Sequence, residues 1–334
     1  MKFFTLLFLF ISFLYGEITL KIATYNVENL FDLEKKGYKY KEYKPYGKSL
    51  WNKKNYKIKL NNLSHVIKDI DADIICLEEI HSKKALLDLK YKLKQKGLYY
   101  KYYSIADKKN TAIKVAILSK FPFIYSKELI VTNSYKYRNI LETKFKIDNK
   151  DLYIFVNHWK SKAGPESMRI RSAKVLRDRV EQIGYDKNII LLGDFNSHYE
   201  EYKIFKKKRK HNDTNGKTAI NHVLRTIKNT KDALHVEIKE DNFYNLWYDA
   251  IEHDRYSYIY RGKKEALDNI LISKSLLDNN GISYIHSSIS NFSKDYLFKK
   301  KQIYRWQVSR AKIRKHKGKG YSDHLAVTAK FLVK

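Results

Sequence analysis

Cysteine is almost absent from these 334 residues: Cys76 stands alone. A single thiol excludes an intramolecular disulfide framework and any zinc site built on paired cysteines. Cys76 lies in the apolar stretch 74–77 and reads as a buried, inert thiol. Beyond residue 16 no apolar run is long enough to cross a membrane, and no apolar hairpin suited to membrane insertion is evident. Linkers, low-complexity tracts and short-period repeats are also missing, which leaves one folded unit. Acidic residues are scarce beside basic ones, 36 against 67, for a net charge of +31. That balance favours phosphate-bearing partners. Hydrophobic residues make up 43% of the chain, enough for a sizeable core, which excludes wholesale disorder.

The one strongly apolar run comes first. Lys2 precedes Phe3–Leu14, and Tyr15-Gly16 follows. A positive start, a short apolar core and a small residue make a secretory signal, with an uncleaved anchor as the alternative. The expected layout is a signal peptide over residues 1–16 and a single domain over 17–334. The protein is then exported, to the periplasm or the cell exterior. It is expected to be a monomer with no stable membrane association after signal cleavage.

Periodicity predicts strands at 18–25, 72–77, 99–105, 115–118, 124–132, 140–147, 152–156, 189–192, 256–260, 267–272, 282–286 and 325–332. Leu60, Leu63, Ile67 and Ile70 recur at helical spacing. Ser82 caps a second helix that faces the core with Leu86, Leu89 and Leu93. Pro165 opens a third, with Ile170, Ala173, Val180 and Ile183 inward. Residues 37–56 read as a surface loop. Runs of strands separated by helices suit two packed sheets with helices outside.

The chemistry gathers at strand ends. Ile189–Leu192 is a buried strand, Gly193 breaks it, and Asp194 and Asn196 leave the core on the same side. Asn26 and Glu28 close the first strand, Glu78-Glu79 the Cys76 strand, and Asn157-His158 the strand over 152–156. Asp323-His324 precedes the last strand, and Asp268 is embedded in another. Any one of these could be a helix cap, a core histidine or a surface acid. Together they form an inventory for phosphodiester hydrolysis. Glu79, Asp194, Asp323 and Glu28 are hard oxygen donors suited to Mg²⁺, Mn²⁺ or Ca²⁺. Two histidines can do acid–base work near neutral pH. Asn26 and Asn196 offer amide donors to phosphate oxygens.

At these residues the chain resembles the endonuclease/exonuclease/phosphatase superfamily, the deoxyribonuclease I-like enzymes. Gly-Asp-Phe-Asn (193–196) and Ser-Asp-His-Leu (322–325) carry the resemblance, with Asn-Val-Glu-Asn (26–29), Leu-Glu-Glu (77–79) and Leu-Asp-Asn-Ile (267–270) in support. The stretches 116–122 and 157–162 look most like the secreted or periplasmic bacterial members. The resemblance implies an α+β fold, a four-layer αββα sandwich of two packed mixed sheets with outer helices, and a site at one edge of the sheets. It makes Glu79 the principal metal ligand, with Asp323 on the metal side and Asn26 and Glu28 supporting metal or phosphate. Asp194 and Asn196 would orient the attacking water and the scissile phosphate. Asp268 and His324 would form an acid–base dyad, His158 would contact the phosphate and assist proton transfer, and Arg138 would match a phosphate-binding arginine. Two departures stand out: Glu78 replaces the usual Gln, and Asn269 replaces a common His or Arg.

The resemblance implies the bond and leaves the substrate open. An exported nuclease, with nucleic acid as partner and DNA favoured, accords with the charge, the basic runs at 206–210, 299–301 and 310–319, and the interleaved tyrosines. The alternatives are a sphingomyelinase-like or other lipid phosphoesterase and a catalytically inactive DNA-binding module.

Overall fold

A computed structural model describes residues 17–205, 211–227, 229–230 and 238–334. The expected signal peptide and the basic run 206–210 lie outside the described residues. The chain opens with β1 (Ile18–Leu30), β2 (Ile74–Ile80), β3 (Tyr102–Ile105), β4 (Lys114–Ser119), β5 (Phe123–Leu129), β6 (Ile140–Ile147), β7 (Lys150–His158), β8 (Ile189–Asp194) and β9 (Tyr244–Asn245). Then come β10 (Tyr258–Tyr260), β11 (Lys263–Glu265), β12 (Asp268–Ile272), β13 (Ile282–Tyr284), β14 (Ser290–Asn291), β15 (Phe298–Lys299), β16 (Gln302–Ile303) and β17 (Val327–Val333). The principal helices are α1 (Lys53–Ile70), α2 (Lys83–Gln95) and α3 (Glu166–Ile183).

Two mixed sheets result. The first runs β13-β17-β1-β2-β4-β3 with β14 also on β17; the second runs β5-β6-β7-β8-β12-β9. Each has one parallel pair, β1–β2 and β7–β8, among antiparallel neighbours. Side chains alternate across a strand, so each sheet has two faces to bury. Leu20, Ile22, Cys76 and Ile117 from the first sheet meet Ile154, Val156, Ile190 and Ile270 from the second, forming the central core. The other face of the first sheet, with Tyr25, Ile75 and Leu77, takes Leu63, Ile67, Leu86 and Leu89 of α1 and α2. The other face of the second, with Phe155, Leu191 and Leu271, takes Ala173, Leu176 and Val180 of α3. Three apolar interfaces separate four layers, the expected αββα arrangement.

Local chemistry sets the helix ends. Asn52 caps α1 by accepting from Asn55 N–H, and Ser82 caps α2 by accepting from Ala85 N–H at 3.1 Å. Cys76 is buried, and burial pushes its thiol well above the usual range, so it is inert. Residues 37–56 differ from the surface loop expected of them. Tyr43 and Trp51 are buried, and α1 already begins at Lys53. Irregular backbone hid this packing, because aromatic side chains without a period give no face to read. The opening strand also runs past Tyr25 to Leu30, carrying Asn26 and Glu28 within it.

Candidate active site

Both sheets deliver polar side chains to one edge. On the first, β1 and β2 slip register between Asn26 and Leu30. Glu28 (φ 49°) and Glu79 (φ 67°) take left-handed backbone there, a conformation costly for a residue with a Cβ. The irregularity separates two consecutive acids. Glu78 turns inward, fully buried, and accepts from Thr24 Oγ1 at 2.7 Å. The Glu79 side chain stays 17% exposed. On the second sheet, β7–β8 pairing sets His158 beside Asp194, and β8–β12 pairing sets Asp268 opposite it. Gly193 allows this: a Cβ there would sit 2.0 Å from the Asn157 carbonyl oxygen, at a φ of +129°.

Two hydrogen bonds tie the sheets together at this edge. Asn26 Nδ2 donates to Asp194 Oδ2 at 3.1 Å, while Asp194 Oδ1 accepts the Asn196 N–H at 2.9 Å. His324 Nδ1 donates to Asp268 Oδ2 at 2.7 Å, which leaves Nε2 for the open side. Ser322 Oγ braces this turn, donating to the Asn26 carbonyl at 2.6 Å and accepting the His324 N–H at 3.2 Å. The Tyr258 ring lies beside His324, centroids 4.9 Å apart. His158 Nε2 points at Asp194 Oδ2 (3.5 Å) and Glu79 Oε1 (3.9 Å).

The electrostatics are those of a site short of positive charge. Burial, reinforced by Asp323, pushes Glu28 up to about 7, against the pull of Lys59 and Arg305. Burial and then Asp268 push Asp194 up to about 7. Burial and Asp323 raise Glu79, and burial lifts Glu78 well above the carboxylate range. Burial, then Arg138 and His324, holds His158 well below its ordinary value, so it is neutral. His324 goes the other way: burial opposes its charge, but Asp268, Asp194 and Asp323 outweigh burial and raise it well above. Asp194, Asp268 and His324 offer ligand atoms all within 4.8 Å of one another. Crowded, under-compensated carboxylates with oxygen donors fit a hard divalent cation.

The structure therefore gathers Asn26, Glu79, His158, Asp194, Asn196, Asp268 and His324 at one edge. Glu28 is placed differently from a free ligand. Its Oε1 accepts from Arg305 Nε at 2.9 Å, and its Oε2 accepts the Trp306 N–H at 2.9 Å. Arg305 Nη2 also reaches Asp323 Oδ2 at 3.1 Å, bridging two expected metal-side acids. Arg138 sits just outside the centre, donating from Nη1 to the Trp159 carbonyl at 2.8 Å. Sequence reasoning missed Arg305 and Lys59. Lys59 is buried on α1, donates to the Tyr321 carbonyl at 2.8 Å, and is lowered by burial to about 8 despite nearby acids. Neither residue stands in a motif. Ser322 lies inside one, and its position before Asp323 was the available signal.

Residues 21–332 match the Endonuclease/Exonuclease/phosphatase family. No curated protein sequence matches the chain. Among solved structures, D. rerio TDP2 complexed with a single-strand DNA product is similar at a TM-score of 0.58 and 15% identity, covering 94% of this chain and 98% of that one. An endonuclease/exonuclease/phosphatase family protein from Bacteroides thetaiotaomicron is similar at 0.55 and 13% identity, covering 96% of this chain and 100% of that one. A mannosyl-6-phosphatase from the same organism is similar at 0.55 and 14%, covering 93% and 99%. At such identities these likenesses speak to the fold alone.

Proposed function

Since the chain belongs to the endonuclease/exonuclease/phosphatase family, and so to a group of phosphoester hydrolases, we propose that it is an exported, metal-dependent nuclease acting on DNA and, secondarily, RNA. The observation that carries a hydrolytic reading is the Asp268–His324 contact of 2.7 Å set across β8–β12 from Asp194. Glu79 and Asp323, supported by Asn26, would hold Mg²⁺ or Mn²⁺, with Ca²⁺ as a further candidate. When bound, such an ion supplies Lewis acidity at a phosphoryl oxygen and neutralises developing charge.

The residues divide the remaining work. Asp194, gripped by the Asn26 amide and the Asn196 N–H and poised at about 7, orients a water and takes its proton. Neutral His158 donates from Nε2 to a phosphoryl oxygen. The Asn196 amide holds a second oxygen. His324, kept charged and in one orientation by Asp268, presents Nε2–H to the phosphate and gives that proton to the leaving oxygen as the P–O bond breaks. Arg138 takes a flanking phosphate. Glu28 acts through Arg305, fixing the guanidinium beside Asp323.

Support for nucleic acid comes from the charge of +31 and from exposed lysines at 299–301 and basic residues at 310–315. Export rests on residues 1–16. The test is purified protein incubated with plasmid DNA, RNA, a phosphosugar and sphingomyelin vesicles, with Mg²⁺ or with EDTA. Mg²⁺-dependent cleavage of DNA is expected. Turnover of the phosphosugar or the lipid alone would replace the nuclease reading with a phosphatase or lipid phosphoesterase.

A further inference from the structure

A cleft of about 570 Å³ opens beside the catalytic edge, its walls including Tyr38, Tyr40, Tyr135, Lys136, Arg138 and Lys160. That volume is within the range of pockets that enclose a small ligand. Four connections build it: the one after β1, those between β3 and β4 and between β5 and β6, and the one from β7 to α3, which carries Lys160. The first three are tied together. Tyr38 N–H donates to Asn110 Oδ1 at 3.3 Å, and Lys109 Nζ donates to the Thr132 carbonyl at 2.6 Å. The cleft leads into the catalytic centre. Arg138 is hydrogen-bonded to the His158 and Trp159 carbonyls, and the Tyr40 hydroxyl lies in the fields of both Arg138 and Glu79.

Two features of the lining call for a ligand. The first is uncompensated positive charge. Among the described residues, Lys136, Arg138 and Lys160 have no carboxylate within ion-pair distance, whereas nearby Lys127 is paired with Glu142. Burial and then the repulsion of Arg138, Lys136 and Arg169 depress Lys160, with no acid offsetting them. An anion placed there would relieve that repulsion. The second is bare aromatic surface. Tyr38 is 58% and Tyr135 75% exposed. Some surface tyrosines are covered by a cation, as Tyr99 is by Lys90 and Lys94; these two, like Tyr46 and Tyr91, have none over the ring among the described residues, but only these two stand beside the unpaired cations of the cleft.

Cations for phosphates alternating with free ring faces for bases are the elements of a single-strand site. In a duplex, the faces of the bases are covered by their stacked neighbours and reach no tyrosine ring. We infer that this cleft is a subsite for unpaired nucleotides flanking the scissile phosphate, with Tyr38 and Tyr135 as the stacking platform and Lys136, Arg138 and Lys160 as the phosphate grip. The enzyme then prefers single-stranded nucleic acid, or the frayed end of a duplex, to an intact helix. This inference rests on the nuclease reading of the adjoining centre.

The experiment compares cleavage of one labelled oligonucleotide, free and annealed to its complement, as DNA and as RNA, in Mg²⁺. The wild-type protein is expected to show a kcat/KM at least about tenfold higher on the free strand. The Tyr38→Ala/Tyr135→Ala double variant is expected to raise KM for the free strand about tenfold while kcat stays within about a factor of two, since stacking binds and does no chemistry. Both rings are exposed, so the substitutions leave the fold standing. Tyr91→Ala, an exposed tyrosine on α2, is the control and should change neither constant. Cleavage of the annealed DNA at least as fast as the free strand, or a free-strand KM unmoved in the double variant, overturns the cleft assignment and leaves the nuclease reading intact. If no nucleic acid is cut while another phosphoester is, both fail together. Which of the free DNA and RNA strands shows the lower KM identifies the sugar the cleft accepts.

Discussion

Asp268 is buried, and its Oδ2 is bound to His324 at 2.7 Å, while Oδ1 is buried without a hydrogen-bond partner among the described residues. That carboxylate is spent on orienting and charging one imidazole. Asp268→Asn and His324→Ala should each lower kcat by roughly 10²–10⁴-fold, and the double variant should lose little more than the worse single one, because the pair acts as a unit. Steady-state rates of the three variants decide this; multiplying losses would assign the residues separate tasks. Gly193 makes a purely steric prediction. Ala at 193 would drive its Cβ into the Asn157 carbonyl, so β8 must shift away from β7 and carry Asp194 with it. A stability loss of about 1–3 kcal/mol is expected from that overpacking, read by denaturant unfolding, together with a fall in activity. At this scale the sequence was legible where a residue sits in a motif at a strand end, as Asp194 and His324 do. Arg305 and Lys59 were not legible, because their meaning depends on reaching Glu28, Asp323 and Tyr321 across long stretches of chain.

Elements whose apolar residues repeat declared themselves: α2 with Leu86, Leu89 and Leu93, and β8 with its unbroken branched run. The segment before α1 did not, since its order comes from aromatic packing with a distant part of the chain. Tyr43, Trp51, Trp306 and His316 cluster there, with ring centroids 4.8 Å apart for both Tyr43–His316 and Trp51–His316. Trp306 Nε1 donates to His316 Nδ1 at 2.8 Å, so Nε2–H must donate to the Glu42 carbonyl at 2.9 Å, and the imidazole is held neutral. Burial lowers its affinity for a proton, partly opposed by that carbonyl. In the unfolded chain His316 gains a proton below about pH 6.5, whereas the folded protein resists until a lower pH. The unfolded state then binds more protons, so stability falls as pH drops through that window. Thermal unfolding from pH 7.5 to 5 should show a shallower decline in His316→Asn than in the wild type, although the variant starts from a lower Tm. Equal slopes would mean that this histidine titrates alike in both states.

For the whole molecule, the excess of carboxylates at one edge and of cations elsewhere makes two predictions. A hard divalent ion binds the folded site and not the unfolded chain, so Mg²⁺ at about 100 times its Kd should stabilise the protein by about 2.7 kcal/mol. Differential scanning fluorimetry with Mg²⁺ and with EDTA reads this, and Glu79→Gln should shrink the shift while EDTA abolishes hydrolysis. Duplex DNA binding by Asp194→Ala should weaken steeply with salt, with a log–log slope near −3.6 for about four phosphate contacts. A flat salt response with tight binding to neutral vesicles would point to a lipid substrate. The four-layer architecture was legible because strands and helices alternate in runs; how the two sheets bring their edges together was not, because no local pattern encodes it. Yet both contacts that complete the centre cross that gap: Asn26 to Asp194, and Asp268 to the residue that leads into β17. β17 sits between β1 and β13 inside the first sheet, yet it is separated from β1 by almost the whole described chain. A chain shortened before residue 323 would lack both His324 and the strand that positions it. An activity that needs His324 would therefore wait on the docking of β17 against β1, however much of the first sheet had already formed.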